Sequence, residues 1–261
     1  MLIATWNING IKARIDVLLA WLRERAPDVV ALQEIKSVDE TFPRADIEAL
    51  GYHVETHGQK GFNGVALLSK AKPDSVERRL PGDDADDQSR YIEGVWSVGA
   101  RRVRVASIYL PNGNPLGTEK FDYKLRWMQR LEAHAALRLA EESDLVLAGD
   151  YNVIPEPEDA KHPDAWLGDA LFQLESRASW RRLQALGLID ALRASTDAAG
   201  TYTFWDYQAG AWQKNNGIRI DHLLLSPEAA SRLVGVGIDS HVRAWEKPSD
   251  HVPVIVDLSL S

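Results

Sequence analysis

The chain has 261 residues, 45% hydrophobic, with 38 acidic residues against 30 basic and no cysteine. A chain of this length buries roughly 70 to 75% of its unfolded surface, and with no shift in composition one domain spanning residues 1–261 is expected. The absence of cysteine excludes disulfide frameworks, thiolate zinc sites and cysteine nucleophiles, and the net charge of −8 argues against holding nucleic acid by nonspecific charge alone.

Short β-branched and leucine-rich runs alternate with helical periodicity, the pattern of a mixed α/β protein. Met1 runs straight into an apolar strand at residues 2–7, without the basic region and apolar run of an export signal, so a cytoplasmic location is expected. A helix follows, because Ile15, Leu18, Leu19 and Leu22 fall at i, i+3, i+4 and i+7; Pro27 ends it. Strands are expected at 28–33, 64–69, 92–98 and 103–109, with an exposed acidic loop at 81–88. A long helix from about Thr118 to Ala140 carries Phe121, Leu125, Met128, Leu131 and Ala135 on one face. A strand at 145–150 and a loop at 155–169 come next. A helix near Trp180 to Leu186 ends at Gly187, the usual residue for a left-handed cap. Strands at 219–225 and 252–258 complete the pattern. No apolar run nears the ~20 residues of a membrane span, so no membrane partner is expected.

Polar residues stand at the ends of several of these strands, where sheet proteins place their sites. Asn7 ends the first and Glu34 the second, Tyr109 the fifth, and Asp150 with Asn152 the sixth. Asp221 opens the seventh, and Asp250 with His251 precedes the last. Each alone reads as a cap or turn former; together, one His and four carboxylates can converge at one sheet edge. Oxygen donors of this kind suit Mg²⁺ or Mn²⁺ and make a poor zinc cage. The grouping also matches what phosphoester hydrolysis requires. General acid–base catalysis contributes only ~10² to 10⁴-fold to a very slow reaction, so a cation must neutralise the phosphate, and an Asp–His pair can add a positive imidazolium. The other six His are scattered, and no HExxH, glycine-rich nucleotide loop or G-x-S-x-G elbow occurs.

Eight blocks carry a resemblance: TWNINGIKAR from Thr5, LQEIK from Leu32, GVALLSK from Gly64, YLPNG from Tyr109, GDYNV from Gly149, TFWDY from Thr203, RIDHLLLS from Arg219 and KPSDHVPV from Lys247. In this order they resemble exonuclease III-type apurinic/apyrimidinic endonucleases over nearly the whole chain. The resemblance implies a four-layer α/β-sandwich, two packed mixed β-sheets flanked by helices, with the site at one end. It implies Mg²⁺-dependent incision of double-stranded DNA 5′ to an abasic site, leaving a 3′-hydroxyl, with 3′-to-5′ exonuclease and 3′-phosphatase action on blocked 3′ ends, by a monomer.

Carried over residue by residue, the resemblance makes Glu34 the principal metal ligand, assisted by Asn7 and Asp250. Asp150 would activate the attacking water, with Asn152 holding it and the phosphate; both can touch a second ion. Asp221 would orient His251, which stabilises the phosphoryl oxygens, and Tyr109 would contact the scissile phosphate. Lys36, Arg90 and Asn112 fall where the family touches backbone phosphate, with a solvated surface as the alternative. Phe204 and Trp205 match aromatics that close around the base-less sugar, with core packing as the alternative. Two departures stand out: Ile218 where some eukaryotic members carry a pocket Trp, and Pro115 where they insert an Arg. Two rival readings remain. One is another metal-dependent phosphoesterase of the same superfamily, acting on inositol phosphates, sphingomyelin or RNA. The other is a non-catalytic DNA-binding protein, which is expected to have lost at least one of Glu34, Asp150, Asp221 or His251.

Overall fold

In the computed structural model, which describes residues 1–260, two six-stranded sheets pack face to face. The first sheet runs β11-β12-β1-β2-β4-β3 and the second β5-β6-β7-β8-β10-β9. The first is built from β1 (Leu2–Asn7), β2 (Val29–Gln33), β3 (His53–His57), β4 (Val65–Ser69), β11 (Leu233–Ile238) and β12 (Val254–Leu258). The second holds β5 (Ser75–Arg78), β6 (Tyr91–Val98), β7 (Arg101–Tyr109), β8 (Asp144–Asp150), β9 (Ile189–Asp190) and β10 (Asp221–Leu225).

Each sheet has a parallel pair near its centre, and each pair needs a crossover helix. Helix α1 (Ile15–Arg25) joins β1 to β2, and the long α3 (Glu119–Leu139) joins β7 to β8. The remaining helices are α2 (Arg44–Glu48), α4 (Leu174–Ala185), α5 (Ala191–Ser195) and α6 (Pro227–Ala230). Side chains alternate faces along a strand, so the central strands are apolar on both sides. Ile3, Val29 and Leu67 meet Val105, Val146 and Leu223 between the sheets. On the outer face of the first sheet, Ala4, Trp6, Val30 and Leu32 pack on Leu18, Trp21 and Leu22 of α1. On the outer face of the second, Leu145 and Leu147 pack on Trp127, Met128 and Leu131 of α3 and Trp180 of α4. These are the four layers.

All eight expected strands form. Two start two residues later than expected, at Asp221 and Val254, because the residues before them bond to loops instead. Arg219 N donates to Asp159 O, and Val252 N to Thr203 O. Helix α4 starts at Leu174, six residues before Trp180, with Glu175 and Arg177 in its polar opening turn. Among the described residues no helix is long and apolar enough to cross a membrane.

Candidate active site

Register brings the site together. Asn7 lies beside Gln33 in the parallel β1–β2 pair, which puts Glu34 one step past it; Tyr109 lies beside Asp150 in the parallel β7–β8 pair, and Asp221 faces Asp150 across the antiparallel β8–β10 pair. The central strands of both sheets therefore deliver polar side chains to the same end of the sandwich. Glu34, Tyr109, Asn112, Asp150, Asn152, Asp250 and His251 all line one cavity of about 170 Å³. Its other wall is apolar, made of Trp166, Leu171, Phe204, Ile218 and Ile220.

Asn7, fully buried, sits behind this cavity. Its Nδ2 donates to Glu34 Oε1 (3.0 Å) and to Asp150 Oδ2 (2.9 Å), and its Oδ1 accepts from Asn9 N. The amide thus spaces two carboxylates that would otherwise repel. Glu34 Oε2 pairs with Lys36 at 2.8 Å. Burial opposes ionisation of Glu34, but the Lys36 and Asn7 hydrogen bonds outweigh it and hold the carboxyl below its usual range. Asn9 links the next pair: its Nδ2 donates to Asp250 Oδ1 (3.0 Å) and its Oδ1 accepts from Lys36.

Asp150, also fully buried, accepts from Asn152 N at Oδ1 (2.9 Å). Burial, reinforced by Asp221, pushes it up to about 7 against the pull of His251. His251 donates from Nδ1 to Asp221 Oδ2 (2.8 Å), while Nε2 lies 3.8 Å from Asp150 Oδ2. Burial works against its charge, but Asp221 and Asp150 prevail and raise it to about 10. Thr203 Oγ1 donates to Asp221 Oδ2 at 2.6 Å, fixing the carboxylate that fixes the imidazole. Burial and the charges of Glu34 and Asp150 hold the Tyr109 phenol well above its ordinary range, so it stays a donor.

Backbone strain clusters here. Asn9, Glu34, Lys36 and Asn152 all adopt φ between +46° and +51°. Asn tolerates the left-handed region; Glu and Lys do so at a cost of order 1 to 3 kcal/mol each, the kind of strain that gathers at functional sites.

The oxygen donors suit a hard divalent cation. Four buried or half-buried acids, Glu34, Asp150, Asp221 and Asp250, gather here; among the described residues their direct ion pairs are with Lys36 and His251, while Lys124 and Arg243 act on Asp150 and Asp250 from farther off. Asp150, Asp221 and His251 offer ligand atoms within 4.8 Å of one another. His251 and Thr203 already occupy Asp221, which does not line the cavity, so this trio reads as a hydrogen-bonded relay, whereas Glu34 and Asp250 line the cavity and could hold a cation.

The DNA-contact candidates divide. Asn112 lines the cavity and donates from Nδ2 to Asn152 Oδ1 (3.1 Å), while Lys36 stays on the rim. Arg90 lies over the Tyr109 ring at 4.8 Å and donates to Tyr109 O, so it braces that tyrosine. Phe204 lines the cavity, edge-on to His251 at 4.9 Å. For Trp205 the core alternative holds, not the DNA contact: it is a core side chain, packed against Trp212 at 4.9 Å with Nε1 donating to Asn215. Alternation along the chain turns one aromatic to the cavity and its neighbour to the core. The sequence reading missed Asn9, Thr203, Trp166 and Ile220. The last two gave a weak signal, a lone Trp inside a polar loop and an apolar residue just before Asp221.

A larger cavity of about 690 Å³ opens at the opposite end of the sandwich, lined by Met1, Val29, Trp96, Val98 and Leu258. Its Lys70 pairs with Asp28 at 3.3 Å, and it lacks the convergent acids and imidazole of the smaller one, so size does not locate the chemistry.

A carboxylate–imidazole cavity at the strand ends of a two-sheet sandwich defines a hydrolase of phosphoesters. The chain belongs to the Endonuclease/Exonuclease/phosphatase family, whose model matches residues 4–251, and it is a hydrolytic nuclease. It is 38% identical over 258 residues to Exodeoxyribonuclease III of Haemophilus influenzae, covering 96% of this chain and 97% of that one. The structure of an AP endonuclease from Archaeoglobus fulgidus superposes with a TM-score of 0.93 at 35% identity, covering both chains fully. The 3′ phosphatase NExo from Neisseria, bound to a product DNA hairpin, gives a TM-score of 0.94 at 35% identity over 99% of each chain.

Proposed function

We propose that this chain is a Mg²⁺-dependent DNA repair phosphodiesterase, with Mn²⁺ as a substitute. It incises duplex DNA 5′ to abasic sites, leaves a 3′-hydroxyl, and also trims 3′ ends as an exonuclease and 3′-phosphatase. The observation that carries the reading is the two-sided cavity. At about 170 Å³ it is smaller than the ~300 to 1,000 Å³ typical of ligand pockets, so it suits a base-less sugar phosphate better than a nucleoside. The abasic-site and 3′-phosphate chemistry of the structural neighbours supports the same class of substrate.

In this reading Glu34 and Asp250 hold the cation, with Asp150 and Asn152 within reach of a second, and Asn7 sets the spacing of the carboxylates. When bound, the cation neutralises the phosphate and stabilises the leaving oxygen. Asp150, raised toward neutral pH, accepts the proton of the attacking water. His251, held as imidazolium by Asp221, donates from Nε2 to the phosphoryl oxygens, and the Tyr109 hydroxyl donates to the same group. Asn152 and Asn112 orient the phosphate. Phe204, Ile218 and Ile220 close on the sugar and exclude water. Lys36 meets flanking backbone phosphate from the rim. The chain works as one domain and as a monomer.

A duplex carrying one tetrahydrofuran abasic analogue tests the proposal. Cleavage 5′ to the analogue, lost on adding EDTA, is the expected result. An intact duplex together with turnover of an inositol phosphate or RNA would move the chain to another branch of the family. Glu34→Ala is expected to raise the Mg²⁺ concentration needed for half-maximal cleavage; an unchanged metal titration would remove Glu34 from the ligand set.

A further inference from the structure

Helix α3 passes beneath the site and sends one cation into it from behind. Lys124 is buried to 0% exposure, and its Nζ donates to two backbone carbonyls, Asn112 O at 3.0 Å and Asn152 O at 2.5 Å. Burying an ammonium costs several kcal/mol unless its protons are satisfied. Here those carbonyls and the fields of Asp150 and Asp169 offset only part of the cost, and burial still pulls the Lys124 ammonium down to about 7; protonated or neutral, the amine keeps the two N–H groups that the carbonyls accept.

The two carbonyls belong to different loops. One follows β7 and the other β8, and the sheet ladder between these strands ends at the Tyr109–Asp150 pair. Beyond that pair the loops are tied by Leu110 N to Asp150 O, by Asn152 Nδ2 to Leu110 O, and by Asn112 Nδ2 to Asn152 Oδ1. Lys124 adds a tie from a long helix, the rigid kind of support that holds a side chain to sub-ångström tolerance. The approach is built in on the loop side as well. Gly113 has φ +91°, and a Cβ there would lie 2.7 Å from Lys124 Cδ; the loop passes this close to the lysine stem because position 113 has no side chain.

We propose that Lys124 is a positioning residue: it locks the backbone at Asn112 and Asn152 together and so sets where these two amides, and Asp150 between them, face the phosphate. It touches no reacting atom. The kinetic consequence rests on the phosphodiesterase reading above, whereas the clamp itself does not.

Two variants of the full chain test it, each by hydrogen exchange and by steady-state cleavage of the abasic duplex. Lys124→Met keeps the length and apolar stem but removes the donors, and Gly113→Ala pushes the loop off an intact lysine. Each is expected to speed exchange about tenfold over residues 110–114 and 150–154 while β1 and β2 stay protected. Each is also expected to lower kcat by roughly 10- to 100-fold, as about an ångström of misplacement does, with KM within about threefold. Lys124→Arg, which keeps donors, is expected to restore most of both. Unchanged exchange in both loops of a folded variant overturns the proposal, as does a loss of stability with kcat per folded molecule intact. If the wild-type chain leaves the abasic duplex whole, the proposed function fails, and the exchange result still decides the clamp.

Discussion

His222 and His251 are both buried imidazoles, and their surroundings drive them in opposite directions. Burial and the Arg219 guanidinium, which donates to Nδ1 at 2.9 Å, push His222 down to about 4; its Nε2 donates to Val153 O. His251 meets the same burial but faces Asp221 and Asp150, which raise it to about 10. One step along β10 separates the two settings, since Asp221 turns to His251 while His222 turns to Trp180 and Tyr151. Arg219 is itself fully buried, bidentate to Asp159 and paired with Asp190 at 2.7 Å. The neutral cluster closes its own charges and serves the fold. The charged cluster instead turns Glu34, Asp150, Asp250 and the His251 imidazolium toward the cavity, where acids can hold a cation and the imidazolium can face an anionic phosphate.

Substitutions that cross this boundary should separate catalysis from stability. Asp150→Asn keeps the shape and removes the proton acceptor, so cleavage should fall by ~10² to 10⁴-fold with DNA affinity retained; near-normal turnover in a gel assay would refute the assignment. Arg219→Met strips buried Asp190 of its ion-pair partner and leaves Asp159 with Arg193 alone, and should cost ~3 to 5 kcal/mol in denaturant unfolding. A midpoint equal to wild type would show that the cluster is not structural. His251→Asn should lower kcat by a factor corresponding to the ~2.7 to 4 kcal/mol typical of a lost oxyanion donor; a change confined to KM would contradict its role.

The smallest effect is a pH dependence. Folded His222 resists a proton that the unfolded chain accepts, so its contribution is complete above about pH 6.5 and is lost as the pH falls toward about 4. His251 has the opposite sign, complete below about pH 6.5 and lost as the pH rises through about 10. Thermal midpoints of a His222→Phe variant should fall less steeply between pH 6.5 and 4 than those of the wild type; parallel curves would mean that His222 is not the group responsible.

Much of this was legible in the chain. The eight strands found by pattern are the ones with strongly apolar runs, and the site motifs lie at their ends. The strands that went unseen, β3, β5, β9 and β11, are the four edges of the two sheets. Their half-exposed patterns, such as that of Ser75–Arg78, carry little apolar signal because one side of an edge strand meets solvent.

Local sequence alone determined that Asn7, Glu34, Asp150, Asp221 and His251 would stand where apolar strands give way to polar turns, because burial and turn chemistry act over a few residues. Which of two adjacent aromatics would face the cavity, that Trp166 would arrive from a loop, and that Lys124 would tie two loops from behind were decided only by tertiary packing. Those outcomes depend on the twist and offset of two sheets, and on contacts between residues that lie 12 to 40 positions apart in the chain.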